Sequence, residues 1–211
     1  YSDLVFTCQE VCKELKLHFT YGDTPFRVEG QKTIVYEICE DFDFKGPDYI
    51  FVPISSGGNF CSIIKGLEEM EKLDIIETVP FVVGVQSEGA APIASAFSEG
   101  REEIEHWQST ETIAHAISNP YPSSGNRALR LSNRGLAEII TVTDEQILKA
   151  QKILAEKEGI FTQPAGAAPL AGIRKMINLR EMPADRNFVS IATGTGHKDP
   201  AILQEQKLEE P

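Results

Sequence analysis

The sequence has no apolar run near the roughly 18–20 residues that a bilayer-crossing helix needs. No secretory signal is visible, since Tyr1-Ser2-Asp3 opens directly into a helical pattern. Basic residues are scarce: 20 Lys and Arg stand against 32 Asp and Glu, a formal net charge of −12. Nucleic acid needs clustered cations for its phosphates, so this balance argues against it as a partner. It leaves room for a small anionic ligand, which a few backbone amides can hold inside an acidic protein. An initiator Met is also missing, which suggests a chain that begins inside a longer protein or lost its start.

Cysteine is sparse as well: Cys8, Cys12, Cys39 and Cys61. Cys8 and Cys12 lie one helical turn apart and could join a metal site with His18. No second Cys/His pair has ligand spacing, so buried thiols are expected, in a reducing, cytoplasmic setting.

What is present is the material of a folded core. Apolar residues make up 41% of 211 residues, enough for one domain or one domain with a fragment of another. Helical periodicity predicts helices over Ser2–Lys16, Val28–Phe42, Asn59–Leu73, Ala91–Phe97, Thr143–Lys157, Pro164–Leu179 and Asp199–Leu208. Thr143 with Gln146 reads as a capping box. Short apolar runs predict strands at Leu17–Thr20, Tyr49–Ile54, Pro80–Gln86, Ala137–Val142 and Phe188–Ala192. Tyr21–Pro25, Glu99–Gln108 and Ser118–Asn126 read as loops.

Helices alternating with nearly continuous apolar strands predict an α/β fold. It is a three-layer, mostly parallel twisted sheet with helices on both faces. Ligands of such sheets bind beyond the carboxyl ends of the strands. Three Gly-rich turns, Ser55–Asn59, Ala165–Ala168 and Thr193–Gly196, can gather at that edge.

Ser55-Ser56-Gly57-Gly58-Asn59 lies between a strand and a helix. By pattern it is either a tight turn or a phosphate cradle, built from close backbone approach, helix-start N–H groups and side-chain donors. It is not a Walker loop, because no Lys-Ser/Thr follows, and it lacks the Gly-x-Gly-x-x-Gly fingerprint. Thr193 also follows a strand and could offer its hydroxyl to a ligand ring. Arg27 and Lys32 open a helical segment against its dipole, which suggests either an anionic ligand or carboxylate partners.

The segment Pro25-Phe26-Arg27-Val28-Glu29-Gly30-Gln31-Lys32-Thr33 resembles a signature of threonine synthases. So does the ordered series Pro53–Asn59, Glu88–Pro92, Glu158–Phe161, Pro164–Gly172 and Thr193–Pro200. The resemblance runs along nearly the whole chain. It implies an incomplete pyridoxal phosphate enzyme of fold type II, the tryptophan-synthase-β type. Its reaction would turn O-phospho-L-homoserine and water into L-threonine and phosphate. Ser55, Ser56, Gly57, Gly58 and Asn59 match the loop for the cofactor phosphate. Thr193 matches the threonine at the pyridine nitrogen, and Arg27, with Lys32 beside it, the substrate-binding segment. The resemblance makes 1–24 the end of a small domain with its crossover, and 25–211 the C-terminal part of the large domain.

The Schiff-base lysine of that family lies early in the chain, in a Ser/Phe-Lys-Asp setting that is not found here, and Lys32 and Lys198 match other segments of the family. By this reading the isolated chain is inactive, and it forms a homodimer or associates with the missing half. Departures stand out. Ser55-Ser56 replaces Gly-Asn, Tyr21-Gly22 replaces Asn-Ser, Gln163 stands for Glu, Gly166 for Ser, and the ending is Thr-Gly-Thr-Gly-His-Lys-Asp. The alternatives are another fold type II lyase, of the serine or threonine dehydratase kind, or a non-catalytic module that binds a small anion or a partner chain.

Overall fold

Four strands and eight α-helices alternate along the computed structural model, which describes residues 2–20, 24–179, 182–183 and 185–202. The elements are α1 (Ser2–Glu14), α2 (Pro25–Gln31), α3 (Thr33–Asp41), β1 (Tyr49–Pro53), α4 (Gly58–Lys72), β2 (Phe81–Ser87) and α5 (Pro92–Ser98). They continue with α6 (Gly125–Asn133), β3 (Ala137–Val142), α7 (Asp144–Glu158), α8 (Pro164–Asn178) and β4 (Phe188–Ser190). Single 3-10 turns occur at Glu88–Ala90, His115–Ile117 and Gly196–Lys198.

The strands form one sheet in the order β3-β2-β1-β4, with every pairing parallel. Phe51 of β1 stands opposite Val83 of β2 and Ser190 of β4. Strand side chains alternate between the two faces. Ile50 and Val52 enter one core with Val35, Phe60, Ile63 and Leu129, from α3, α4 and α6. Phe51 enters the other with Ile147, Leu154 and Ile173, from α7 and α8. Burial on both faces explains why β1 and β2 read as unbroken apolar runs.

Several expected elements differ. The helix expected over Val28–Phe42 starts earlier, at Pro25, and is split at Lys32, which ends α2 and precedes α3. A tight bond from the Val35 N–H to the Lys32 carbonyl (3.2 Å) marks the break. Gly66 of α4 packs against it, where a Cβ would sit 3.0 Å from the Lys32 oxygen. Leu17–Thr20 is no strand; Leu17 is exposed and meets no sheet neighbour. Gly125 and Asn126, read as loop, open α6, whose Ala128, Leu129 and Leu131 are buried. Of the expected terminal helix, 203–208 lie outside the described residues, and Gly196–Lys198 forms a 3-10 turn before it.

Among the described residues no side chain of α1 enters either core, and Leu4, Phe6 and Val11 are exposed, as is Leu15 just beyond its end. Cys8 and Cys12 are therefore only half-buried, a correction to the expectation of buried thiols, whereas Cys39 and Cys61 are buried. Among the described residues no helix is long and apolar enough to cross a membrane.

Candidate functional site

β1 stops at Pro53, and the chain turns through Ser55–Gly57 into α4. Gly57 has φ +94°, a left-handed conformation, and a Cβ there would lie 3.2 Å from the Ser124 carbonyl. Both facts require glycine. Gly57 holds the N-cap position of α4 but has no side chain to cap with. No side chain among the described residues caps the first turn of α4, the positive end of the helix. The Ser124 N–H donates to the Ser56 carbonyl (2.9 Å) and pins the turn against the start of α6. Asn59 Oδ1 is buried without a hydrogen-bond partner among the described residues.

These residues wall an open cleft of about 350 Å³. Arg27 and Gln31 of α2 line it from one side, Thr193 from beyond β4, and Ala165 from the first turn of α8. Ala116 and Ile117 close another side. The structure thus brings Arg27, Ser55, Ser56, Gly57, Gly58, Asn59 and Thr193 together, although they are far apart in sequence. Arg27 is exposed and makes no ion pair among the described residues.

Lys32 is placed elsewhere. Its ammonium lies outside the cleft lining, 2.5 Å from Glu29 and 2.6 Å from Glu69. Lys65 joins the cluster through Glu29 (2.8 Å) and Glu69. The Glu29 and Glu69 carboxylates push the Lys32 ammonium above the ordinary lysine range. In return, hydrogen bonds from Lys32 and then Lys65 hold the Glu69 carboxyl down at about 2.

The Thr193 turn interlocks with the segment before α8. Gly166 sits so close that a Cβ there would lie 2.0 Å from the Thr193 oxygen. Gly196 donates to the Phe161 carbonyl (2.9 Å) and lies under the Phe161 ring, which leaves no room for a side chain. Thr162 and Thr195 form an antiparallel bridge. His197 is exposed, with Nδ1 3.0 Å from Thr195 Oγ1 and its ring edge-on to Phe161. Its contacts are those of the local turn.

Gln31, Ala116 and Ile117 are site residues that sequence reasoning did not single out. Ala116 and Ile117 are small or aliphatic residues in an irregular stretch, with no chemistry to flag them.

Residues 2–194 match the model of the family described as pyridoxal-phosphate dependent enzyme. The chain belongs to this family. Its cofactor is accordingly pyridoxal 5′-phosphate. The cleft fits the cofactor's phosphate: helix-start N–H groups with no side-chain cap, together with serine hydroxyls, suit an anion with many acceptor oxygens. The chain is 40% identical over 202 residues to a protein named threonine synthase of Methanocaldococcus jannaschii, covering 95% of this chain and 49% of that one. It is 38% identical to one so named of Methanosarcina acetivorans, covering 96% of this chain and 50% of that one. The chain therefore spans about half the length of these curated relatives. Among solved structures it resembles threonine deaminase isoform 2 of Solanum lycopersicum, with TM-score 0.77 at 19% identity, over 96% of this chain and 56% of that one. It also resembles maize serine racemase, with TM-score 0.74 at 21% identity, over 93% of this chain and 59% of that one. These likenesses establish the fold, fold type II.

Proposed function

We propose that this chain forms part of a threonine synthase, an enzyme that converts O-phospho-L-homoserine and water to L-threonine and phosphate. The observation that carries the reading is the convergence of Arg27 with the Ser55–Asn59 cup and Thr193 on one cleft. The 40% identity to a protein named threonine synthase supports the substrate. When bound, pyridoxal phosphate supplies an electron sink for carbanions next to its ring.

In this reading each group of the chain has a defined task. The N–H groups that open α4, with Ser55, Ser56 and Asn59, hold the cofactor phosphate. The Thr193 hydroxyl would hold the pyridine nitrogen. Arg27, which lines the cleft and makes no ion pair among the described residues, holds the phosphate of the substrate. Ala116 and Ile117 exclude water on one side. The lysine that links to the cofactor and moves protons comes from outside this chain. Residues 1–24 end a small domain and 25–211 belong to the large domain, and the exposed apolar face of α1 is covered by the other half or by a second copy.

A two-part assay tests this. The isolated chain should bind pyridoxal phosphate reversibly, and borohydride should not fix it. Phosphate release from O-phosphohomoserine should appear once a polypeptide supplying the N-terminal half is added. Ammonia release from serine or threonine in its place would transfer the chain to the dehydratase kind.

A further inference from the structure

Asp144 is the first residue of α7, yet its carboxylate does not cap that helix. The cap is Thr143, whose hydroxyl accepts the Gln146 N–H at 3.1 Å while the Gln146 side chain accepts the Thr143 N–H at 3.0 Å. The Asp144 carboxylate reaches across to the stretch that ends in the cleft wall. Oδ1 accepts the Thr112 hydroxyl at 2.6 Å and the Ser87 hydroxyl, at the end of β2, at 3.1 Å. Oδ2 accepts the Ile113 N–H at 3.0 Å. Thr112 Oγ1 in turn accepts the Ala114 N–H at 3.1 Å.

Two further ties flank this knot. The Glu111 N–H donates to the Gly89 carbonyl (3.0 Å), an approach so close that a Cβ at Gly89 would lie 1.7 Å from the Glu111 oxygen. The Thr110 and Ser118 hydroxyls meet at 2.8 Å and close the base of the loop. The stretch 110–118 has no strand or long helix of its own. Its only regular element is the turn His115–Ile117, whose Ala116 and Ile117 line the cleft. Ala114 and Ile117 pack into the core, and the polar anchors fix the rest of a wall that has little regular structure. A carboxylate that accepts several donors is the strongest anchor of the set.

We propose that Asp144 is a positioning residue: its carboxylate fixes residues 112–117 as one wall of the cofactor cleft. The proposal rests on the reading of the cleft as the pyridoxal phosphate site. Asp144 acts through the loop and touches neither cofactor nor substrate. Asn keeps the shape but loses the charge: its oxygen can still accept the Ile113 N–H, yet its NH₂ then faces the two hydroxyls, which must turn to accept, and the charge-assisted bonds are gone.

The test uses the full chain with Asp144→Asn, and with Thr143→Ala as a control that weakens the α7 cap without touching the loop. Two quantities are read: amide hydrogen exchange of the peptide over 110–118, and the dissociation constant for pyridoxal phosphate by equilibrium dialysis. Asp144→Asn should raise exchange at 112–117 and weaken binding by about tenfold or more, the scale seen when a supporting contact behind ligand-holding groups is lost. Thr143→Ala should do neither. The proposal is overturned if Asp144→Asn leaves either quantity at the wild-type value, or if Thr143→Ala reproduces both effects. Should Asp144→Asn not fold, Thr112→Val removes the shortest of the contacts and is read the same way. A wild-type chain that does not bind pyridoxal phosphate defeats the cofactor reading of this chain, while the exchange at 112–117 still decides whether Asp144 sets the loop.

Discussion

Lys32 Nζ lies 2.6 Å from Glu69 Oε2, and this pair ties α2 to α4. Glu29 and Lys65 complete the cluster, and the Tyr36 hydroxyl donates to Glu69 at 3.0 Å. Helix α2 carries Arg27, and α4 opens with the phosphate cup. The cluster therefore sets the distance between Arg27 and the Ser55–Asn59 turn without entering the cleft that both line. Lys32→Met is expected to lower the urea midpoint slightly, as the loss of an exposed ion-pair network does, with little change in affinity for free phosphate. Arg27→Ala should give the opposite pattern. Urea unfolding together with phosphate titration of both variants checks it.

The same cluster gives a pH dependence with a defined sign. The Glu69 carboxyl is lowered from 4.5 to about 2 by Lys32 first and Lys65 second. A carboxyl lowered by folding contributes stability that is present above 4.5 and is lost as pH falls toward 2. Lys32 is raised, by Glu29 first, so its contribution is full below 10.5 and is lost as pH climbs through its raised value. The urea midpoint should fall across the acid window, and Glu69→Gln should flatten that fall. Parallel acid profiles for wild type and variant would refute this.

Much of this arrangement is legible in the sequence. β1 and β2 are unbroken apolar runs because both faces of each are buried. The turn after β1 and the Thr193 turn sit at strand ends, where the fold collects its ligand groups. The partners of Lys32 are not legible, since Glu69 lies 37 positions on and on another helix, a pairing that no local pattern displays. Helix α6 is hidden because it begins with Gly125-Asn126, at the end of a stretch rich in Pro, Ser and Asn, and its apolar face is short. The wall at Ala116 and Ile117 is hidden because its position depends on distant partners: the core that takes Ala114 and Ile117, and the ties to Asp144, Gly89 and Ser118.

Gln86 is fully buried on β2, and its Oε1 accepts the N–H groups of Ile93 (3.1 Å) and Ala94 (2.9 Å). It thereby caps α5, whose own N-cap position, Ala91, has no side chain able to do so. Gln86→Leu preserves bulk but strands two buried donors. Each stranded donor costs about 1–3 kcal/mol, so a loss of roughly 2–6 kcal/mol is expected. A thermal midpoint within a degree or two of wild type would show that α5 finds another cap.

Gly166 and Thr193 make the last case, because fold and chemistry meet there. The Gly166 backbone abuts the Thr193 carbonyl, and a Cβ would stand 2.0 Å from that oxygen, closer than real contacts allow. Backbone is the obstacle, so no side-chain rotation relieves it. Gly194 beside it has φ +66° and lies against the Gln163 side chain, which limits how far the turn can retreat. Gly166→Ser must then displace the Thr193 turn, at a cost of about 1–3 kcal/mol typical of overpacking. The displacement should also move the Thr193 hydroxyl relative to the cup at Ser55–Asn59 and weaken pyridoxal phosphate binding by more than Thr193→Val does alone. Dialysis of the two variants side by side decides it. Equal affinities would mean that serine at 166 is absorbed without moving the turn.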